Sequence, residues 1–264
     1  MNLRQILLPI VYKIHKSIFS CVYFSFIKLL EPSVFNIYKK KSFGKSGDGS
    51  YVLPLDLLSD ELVLLSFGVA DDISFEEDYL LSFPKTRIYT FDPSISNLPL
   101  TNHNINFDMI GLSGKMDKNR NLVTFDYIIS QKNIENSKII LKMDIEGWEW
   151  EVIYKTKFND YDIPIIVAEF HVMTINTIKE FLFFPIHFYK RYKAFKKLKD
   201  DYYIYHIHAN NYNYSNFPEF VFPWCFEVTF IKKTLFFDLF KNEISIVNSI
   251  NCPDRPDYQF PFVK

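Results

Sequence analysis

From residue 62 onward, short apolar runs alternate with segments of helical period. Residues 62–67 (LVLLSF) form an apolar run of strand length and predict a buried strand. GVADD follows, then Ser74-Phe75-Glu76-Glu77. Ser at an N-cap with Glu three residues later is a capping box, which predicts a helix to about Phe83. Residues 87–91 read as a second strand ended by Asp92-Pro93, 105–110 as a third, and 123–130 as a short helix. Residues 139–143 read as a fourth strand ended by Asp144, and 165–170 as a fifth. Strands alternating with helices imply a parallel sheet covered on both faces.

The pattern then changes. Residues 174–199 have helical period, with a break predicted at Pro185. Residues 202–208 and 226–232 alternate as strands and are joined by the glycine-free polar segment NNYNYSNFPEF. Two late strands with a non-helical connection predict an antiparallel pair closing the sheet edge. At the other end, residues 1–30 are apolar but interrupted by Lys13, His15 and Lys16. The uninterrupted runs fall short of the roughly 20 residues that span a bilayer, and they lack the order of a signal peptide. They predict amphipathic helices packed on the protein, with peripheral contact at a membrane surface as the second reading. The expected division is a helical extension over 1–42 and one α/β domain over 43–264.

Composition narrows the class. With 264 residues, 48% hydrophobic and 18% aromatic, the chain has ample material for a core. A net charge of −1 gives no support for nucleic-acid binding. The basic stretch KRYKAFKKLK (190–199) reads first as a solvated helix face and second as a surface for an anionic partner. Cys21, Cys225 and Cys252 are few, odd in number and far apart, which fits a reducing, cytoplasmic setting. All seven glycines lie between residues 44 and 147. Glycine serves positive φ and close backbone approach, so the ligand-cradling loops are expected there.

In open α/β sheets a ligand sits at the carboxyl ends of the strands. The first turn, FGVADD, holds one glycine and lacks the GxGxxG of a dinucleotide site. S-adenosylmethionine has no phosphates and tolerates such a turn, provided an acid at the end of the second strand accepts the ribose hydroxyls. Asp92 stands there; its plain alternative is an Asx-Pro turn. Upstream, FGKSGDGSYVLP is either a hairpin with an Asp48-Gly49 turn or a loop around the methionine end of the cofactor.

In order, GDGSYV, LLSFGVADDISFE, YTFDPS, LKMDIEGWEWEVI, IVAEFH, YHIHANNY and PDRPDY resemble the FkbM-like S-adenosylmethionine-dependent methyltransferases. The resemblance covers roughly residues 43–258, with LKMDIEG its most specific element. It implies a Rossmann-like, mostly parallel seven-stranded sheet with helices on both faces and an antiparallel C-terminal edge. It also implies O-methylation of a small acceptor, often a sugar or polyketide hydroxyl. On the same ground Gly68, Asp72, Asp92 and the Asp48-Gly49 loop would hold the cofactor. Ala70 stands where many methyltransferases have a second glycine.

Methyl transfer requires the acceptor oxygen to be aligned on the methyl group and relieved of its proton. Candidates cluster at three successive strand ends. Asp144 and Glu146 end the fourth strand, Glu169 and His171 share a face of the fifth, and His206 and His208 share a face of the sixth. Asn210 and Asn211 follow. Asp144, His171 and His208 are the expected catalytic residues, with His208 the preferred base and a pKa near 6.5 the expected signature. Glu146, Glu169, Asn210 and Asn211 are expected to bind the acceptor. A divalent metal on Asp144, His171, His208 and Asn210 is a second option, not favoured. Glu149 and Glu151 read as a solvated helix face. The expected function is O-methylation of a sugar or activated precursor of a cell-surface glycan, with a phosphoryl oxygen also open. An NAD-type oxidoreductase and a non-catalytic binding protein are the rival classes.

Overall fold

The computed structural model describes residues 25–32, 38–47, 49–98, 104–171, 178–211, 214–217 and 220–236. The hairpin β1 (Lys40–Phe43) and β2 (Tyr51–Pro54) comes first. The central strands are β3 (Val63–Phe67), β4 (Arg87–Phe91) and β5 (Ile105–Asp108), followed by the two-residue strands β6 (Gly111–Leu112) and β7 (Leu122–Val123). Next are β8 (Ile139–Met143), β9 (Ile165–His171) and β10 (Tyr202–Ala209). A small hairpin, β11 (Tyr214–Phe217) and β12 (Phe220–Pro223), precedes β13 (Cys225–Lys232). The α-helices are α1 (Ser74–Ser82), α2 (Phe125–Lys132), α3 (Glu149–Lys155) and α4 (Ile178–Asp201).

Seven strands form one sheet in the order β10-β13-β9-β8-β3-β4-β5. All neighbours are parallel except at β13, which is antiparallel to both β9 and β10. The fold is therefore the expected Rossmann-like sheet, with the reversed strand one place in from the edge. The reversal brings Cys225, at the start of β13, opposite His171, at the end of β9.

Alternation along the strands builds two cores. Val63, Leu65, Leu141, Met143, Ala168, Phe170, Val228 and Phe230 face α2, α3, α4 and the helical residues 25–30. Leu64, Ile140, Ile165 and Val167 face the hairpin and α1. Period-two side chains on a sheet covered on both sides require both sets to be apolar, which is why these strands read as continuous runs. Phe26 is fully buried and packs on Phe188, Phe195 and Phe226. Within the expected helical extension, residues 25–30 are helical while residues 40–42 belong to β1; residues 1–24 lie outside the described set, as does PDRPDY. No described helix is long and apolar enough to cross a membrane.

Three local expectations need correction. Ser74 is the first residue of α1 and not its cap: Asp72 Oδ1 accepts from the Ser74 N–H at 3.0 Å, and Ser74 Oγ accepts from Lys45 N–H at 2.9 Å. An Asp two residues upstream competes directly for that N–H, as Asx turns do. The short helix starts at Phe125 because Thr124 caps it, accepting from Tyr127 N–H. Finally, α4 continues through Pro185 without a break. Its later turns are held from outside, by burial of Phe188, Ala194, Phe195 and Leu198, and tertiary packing outweighs the local proline penalty.

Candidate active site

The first turn is set by a steric contact. Gly68 has φ +78°, and a Cβ there would stand 1.5 Å from the Asp144 carbonyl oxygen. Only glycine lets the end of β3 approach the end of β8 so closely. Asp92, at the end of β4, is buried; its Oδ2 accepts from Ala70 N–H at 2.9 Å. Its Oδ1 accepts from the N–H and hydroxyl of Ser94 at 2.7 and 2.5 Å. It thereby pins the turn, holding Ala70 at a positive φ of 43°. Each carboxylate oxygen has two lone pairs, so Oδ2 keeps one acceptor position. Asp72 pairs with Lys45 at 2.8 Å and abuts Gly49, where a Cβ would stand 2.9 Å from its Oδ2. Although burial opposes it, the bonds from Lys45 and Ser74 hold the Asp72 carboxyl below its usual range. Asp48 lies outside the described residues.

The stretch DIEGWEW turns the chain out of β8 into α3. Glu146 and Gly147 both have positive φ, at 54° and 98°. Glu149 stabilises this turn: its Oε1 accepts from Ile145 N–H at 2.9 Å and Gly147 N–H at 3.2 Å. The same oxygen lies 3.2 Å from His171 Nδ1. Glu149 is fully buried, so its reading as a solvated face is corrected: a helix of seven residues is too short to display a face reliably, and this acid turns back over its own N-terminus. Trp150 Nε1 donates to the His171 carbonyl at 2.8 Å, fixing the end of β9.

With Nδ1 against Glu149, His171 points Nε2 toward Glu146 Oε2 at 3.4 Å and Asp144 Oδ1 at 3.9 Å. Burial alone depresses this imidazole, but hydrogen bonds to Cys225 and Glu149 and the charge of Glu149 outweigh it and hold the pKa up to about 12. Burial pushes the Cys225 thiol up, so Glu149 is the durable part of that effect. Asp144 Oδ2 accepts from the buried Tyr51 hydroxyl at 3.0 Å. Asn210 Nδ2 donates to Glu169 Oε1 at 3.0 Å. Burial, then the charges of Asp144 and Glu227, push the Glu169 carboxyl well above its usual range.

These groups floor a cleft of about 1360 Å³ between α3 and α4. Asp144, Glu146, Glu169, His171, Asn210 and Cys225 line its sheet end. Lys155, His187, Lys190, Arg191 and Lys193 line the helix side, with Trp148, Tyr154, Tyr189 and Trp224 among them. Arg191 lies 5.5 Å from the Trp150 ring; burial lowers its pKa to about 10, against the pull of Glu149, and it stays a cation at neutral pH. The cleft thus has an acidic floor and a basic, aromatic wall.

Four of the expected acceptor-side residues meet Asp144 there: Glu146, Glu169, His171 and Asn210. His208 does not line the cleft; it is buried within the sheet, with Nδ1 3.8 Å from Glu227 Oε2. Asn211 is buried and also away from the cleft. His206 is held neutral by burial and by Lys40 and His208, but it faces the hairpin. At its sheet end the cleft therefore presents a cationic histidine, His171, while on the helix side burial, then Arg191 and Lys190, lower the pKa of His187. Sequence reasoning missed Glu149, Tyr51, Arg191, Trp224 and Glu227. Tyr51 and Arg191 come from distant segments: the first stood in the GDGSYV element and the second in the basic stretch 190–199, but nothing in either placed it at this site. Glu227 had one, an acid in an otherwise apolar strand.

A family model described as the methyltransferase FkbM domain matches residues 54–193. Among solved structures, the chain is similar to precorrin-6y C5,15-methyltransferase from Geobacter metallireducens GS-15, at 15% identity and a TM-score of 0.34, covering 67% of this chain and 82% of that one. No curated protein matches significantly. The family match takes in the Gly68 turn, Asp92, the DIEGWEW turn and His171, and spans more than half of the chain, which therefore belongs to the FkbM methyltransferase domain family.

Proposed function

We propose that this protein is an S-adenosylmethionine-dependent O-methyltransferase acting on a hydroxyl of a sugar or an activated glycan precursor. One observation carries the reading. Asp144 touches the Gly68 turn through its backbone and lines the cleft with its side chain, so the cofactor turn and the cleft share one residue.

The residues around the first turn fit this cofactor. Asp72 and Asp92 are carboxylates gathered about a turn with a single glycine, which suits a ligand with ribose hydroxyls and an ammonium but no phosphate. Asp92 Oδ2 would accept from the ribose, and Asp72 and Gly49 would border the methionine end. When bound, the cofactor supplies an electrophilic methyl group.

The chain's own residues do the rest. Tyr51 holds Asp144 in place, and burial keeps its hydroxyl protonated and donating. Protonated His171 donates toward the acceptor. The Asp144 carboxylate aligns the hydroxyl and receives its proton as the new bond forms, with Glu169 and Asn210 beside the acceptor. On the helix side, aromatic faces suit a sugar ring, and Lys190, Arg191 and Lys193 suit the phosphoryl groups of an activated precursor.

Transfer of labelled methyl from S-adenosylmethionine to a panel of nucleotide-activated and free sugars tests this. Activated sugars should be the better acceptors. Asp144→Asn should lower turnover by about 10²–10⁴-fold while leaving cofactor binding intact. Equal turnover in a folded Asp144→Asn variant would remove Asp144 from the chemistry.

A further inference from the structure

Asp144, Glu146 and His171 hold donor atoms within 4.8 Å of one another at the sheet end of the cleft. The spacings from His171 Nε2, 3.4 Å to Glu146 and 3.9 Å to Asp144, are long for hydrogen bonds. They are close to the edge of a coordination polyhedron: bonds of about 2.1 Å in a tetrahedral arrangement separate neighbouring donors by ~3.4 Å. His171 Nδ1 rests on buried Glu149, which aims Nε2 at the two carboxylates. A carboxylate behind an imidazole is the arrangement that orients a metal-ligating histidine. The three donors come from two strand ends and lie on one side of an open cleft, which leaves the remaining positions to water or substrate.

We propose that Asp144, Glu146 and His171 form a divalent-cation site in the floor of the cleft, with Glu149 as the positioning residue that aims the imidazole. One nitrogen and two carboxylate donors suit Mn²⁺ or Zn²⁺. Its role rests on the O-methyltransferase reading: it would hold the acceptor oxygen and acidify its hydroxyl, whose proton would pass to solvent water in the open cleft. The site itself is independent of that reading.

The test is Mn²⁺ binding to the full chain after chelator treatment, followed by calorimetry and by the loss of the free-ion paramagnetic signal. One ion per chain should bind, with saturation well below 1 mM. Glu146 is exposed, so Glu146→Gln should fold normally and weaken binding by about tenfold or more; His171→Ala should abolish it. Glu149→Gln should weaken binding by about 10–100-fold. With Co²⁺ it should also shift the visible absorption bands, a change that a merely structural role would not produce. No saturable Mn²⁺ binding, or an affinity unchanged in both Glu146→Gln and His171→Ala, overturns the site. S-adenosylmethionine is titrated separately: cofactor binding without the ion overturns only this inference, and ion binding without the cofactor supports the site while overturning the proposed function.

Discussion

Glu149 gathers two backbone N–H groups and an imidazole on one carboxylate oxygen, and in doing so joins the turn after β8 to the end of β9. None of this was legible in WEWEVI, because the partners are set by the path of the turn and not by helical period. His206 gives a residue-scale prediction of a different kind. Burial, then Lys40 and His208, push its pKa well below the ordinary value. The unfolded chain therefore takes up this proton first, near pH 6.5. The stability His206 contributes is present above that pH and lost as pH falls below it, by up to about 1.4 kcal/mol per pH unit. Urea unfolding at pH 7 and pH 5.5 should show a steeper loss in the wild type than in His206→Gln. Parallel losses would mean that His206 is not held neutral.

At the scale of elements, α3 is short and ends against α4. Lys197 on α4 donates through Nζ to the carbonyls of Ile153, Tyr154 and Thr156 at 3.1, 2.9 and 2.9 Å. A cation at a helix C-terminus satisfies carbonyls that lack intrahelical partners and complements the dipole. Lys197→Met keeps the apolar stem and removes the donors. It should cost about 1–2 kcal/mol in urea unfolding, a value discounted for partial exposure, and should speed amide exchange at the end of α3. An unchanged unfolding midpoint would show that water replaces the cap at no loss. Strands were the most legible elements: 87–91 and 139–143 were read with their observed bounds, because buried strands are continuous apolar runs between polar turns. Helix starts were not, since Asp72 and Thr124 each decide one through a side-chain bond that spacing alone does not reveal.

At the scale of the molecule, the sheet order explains what the sequence could and could not show of the site. Asp144, Glu146 and Asn210 follow strands in the chain and Glu169 and His171 stand at the end of one, so their convergence was legible from strand ends. The insertion of β13 between β9 and β10 was not: it places Cys225 beside His171 and moves His208 one strand away from the cleft. Nor was the position of the wall from α4: the basic stretch 190–199 stood out in the sequence, but not that its Arg191 lines this cleft.

The cofactor turn is the centre of the account, and calorimetric titration of the full chain with S-adenosylmethionine tests it most directly. The wild type should bind one equivalent saturably, and Asp92→Ala should weaken binding by about 1.5–3 kcal/mol, the scale of a hydrogen bond to a charged group. Circular dichroism on the same samples checks that the variant keeps its fold, since Asp92 also pins Ala70 and Ser94. A folded wild type with no saturable heat, or a folded Asp92→Ala variant with wild-type affinity, would contradict the account.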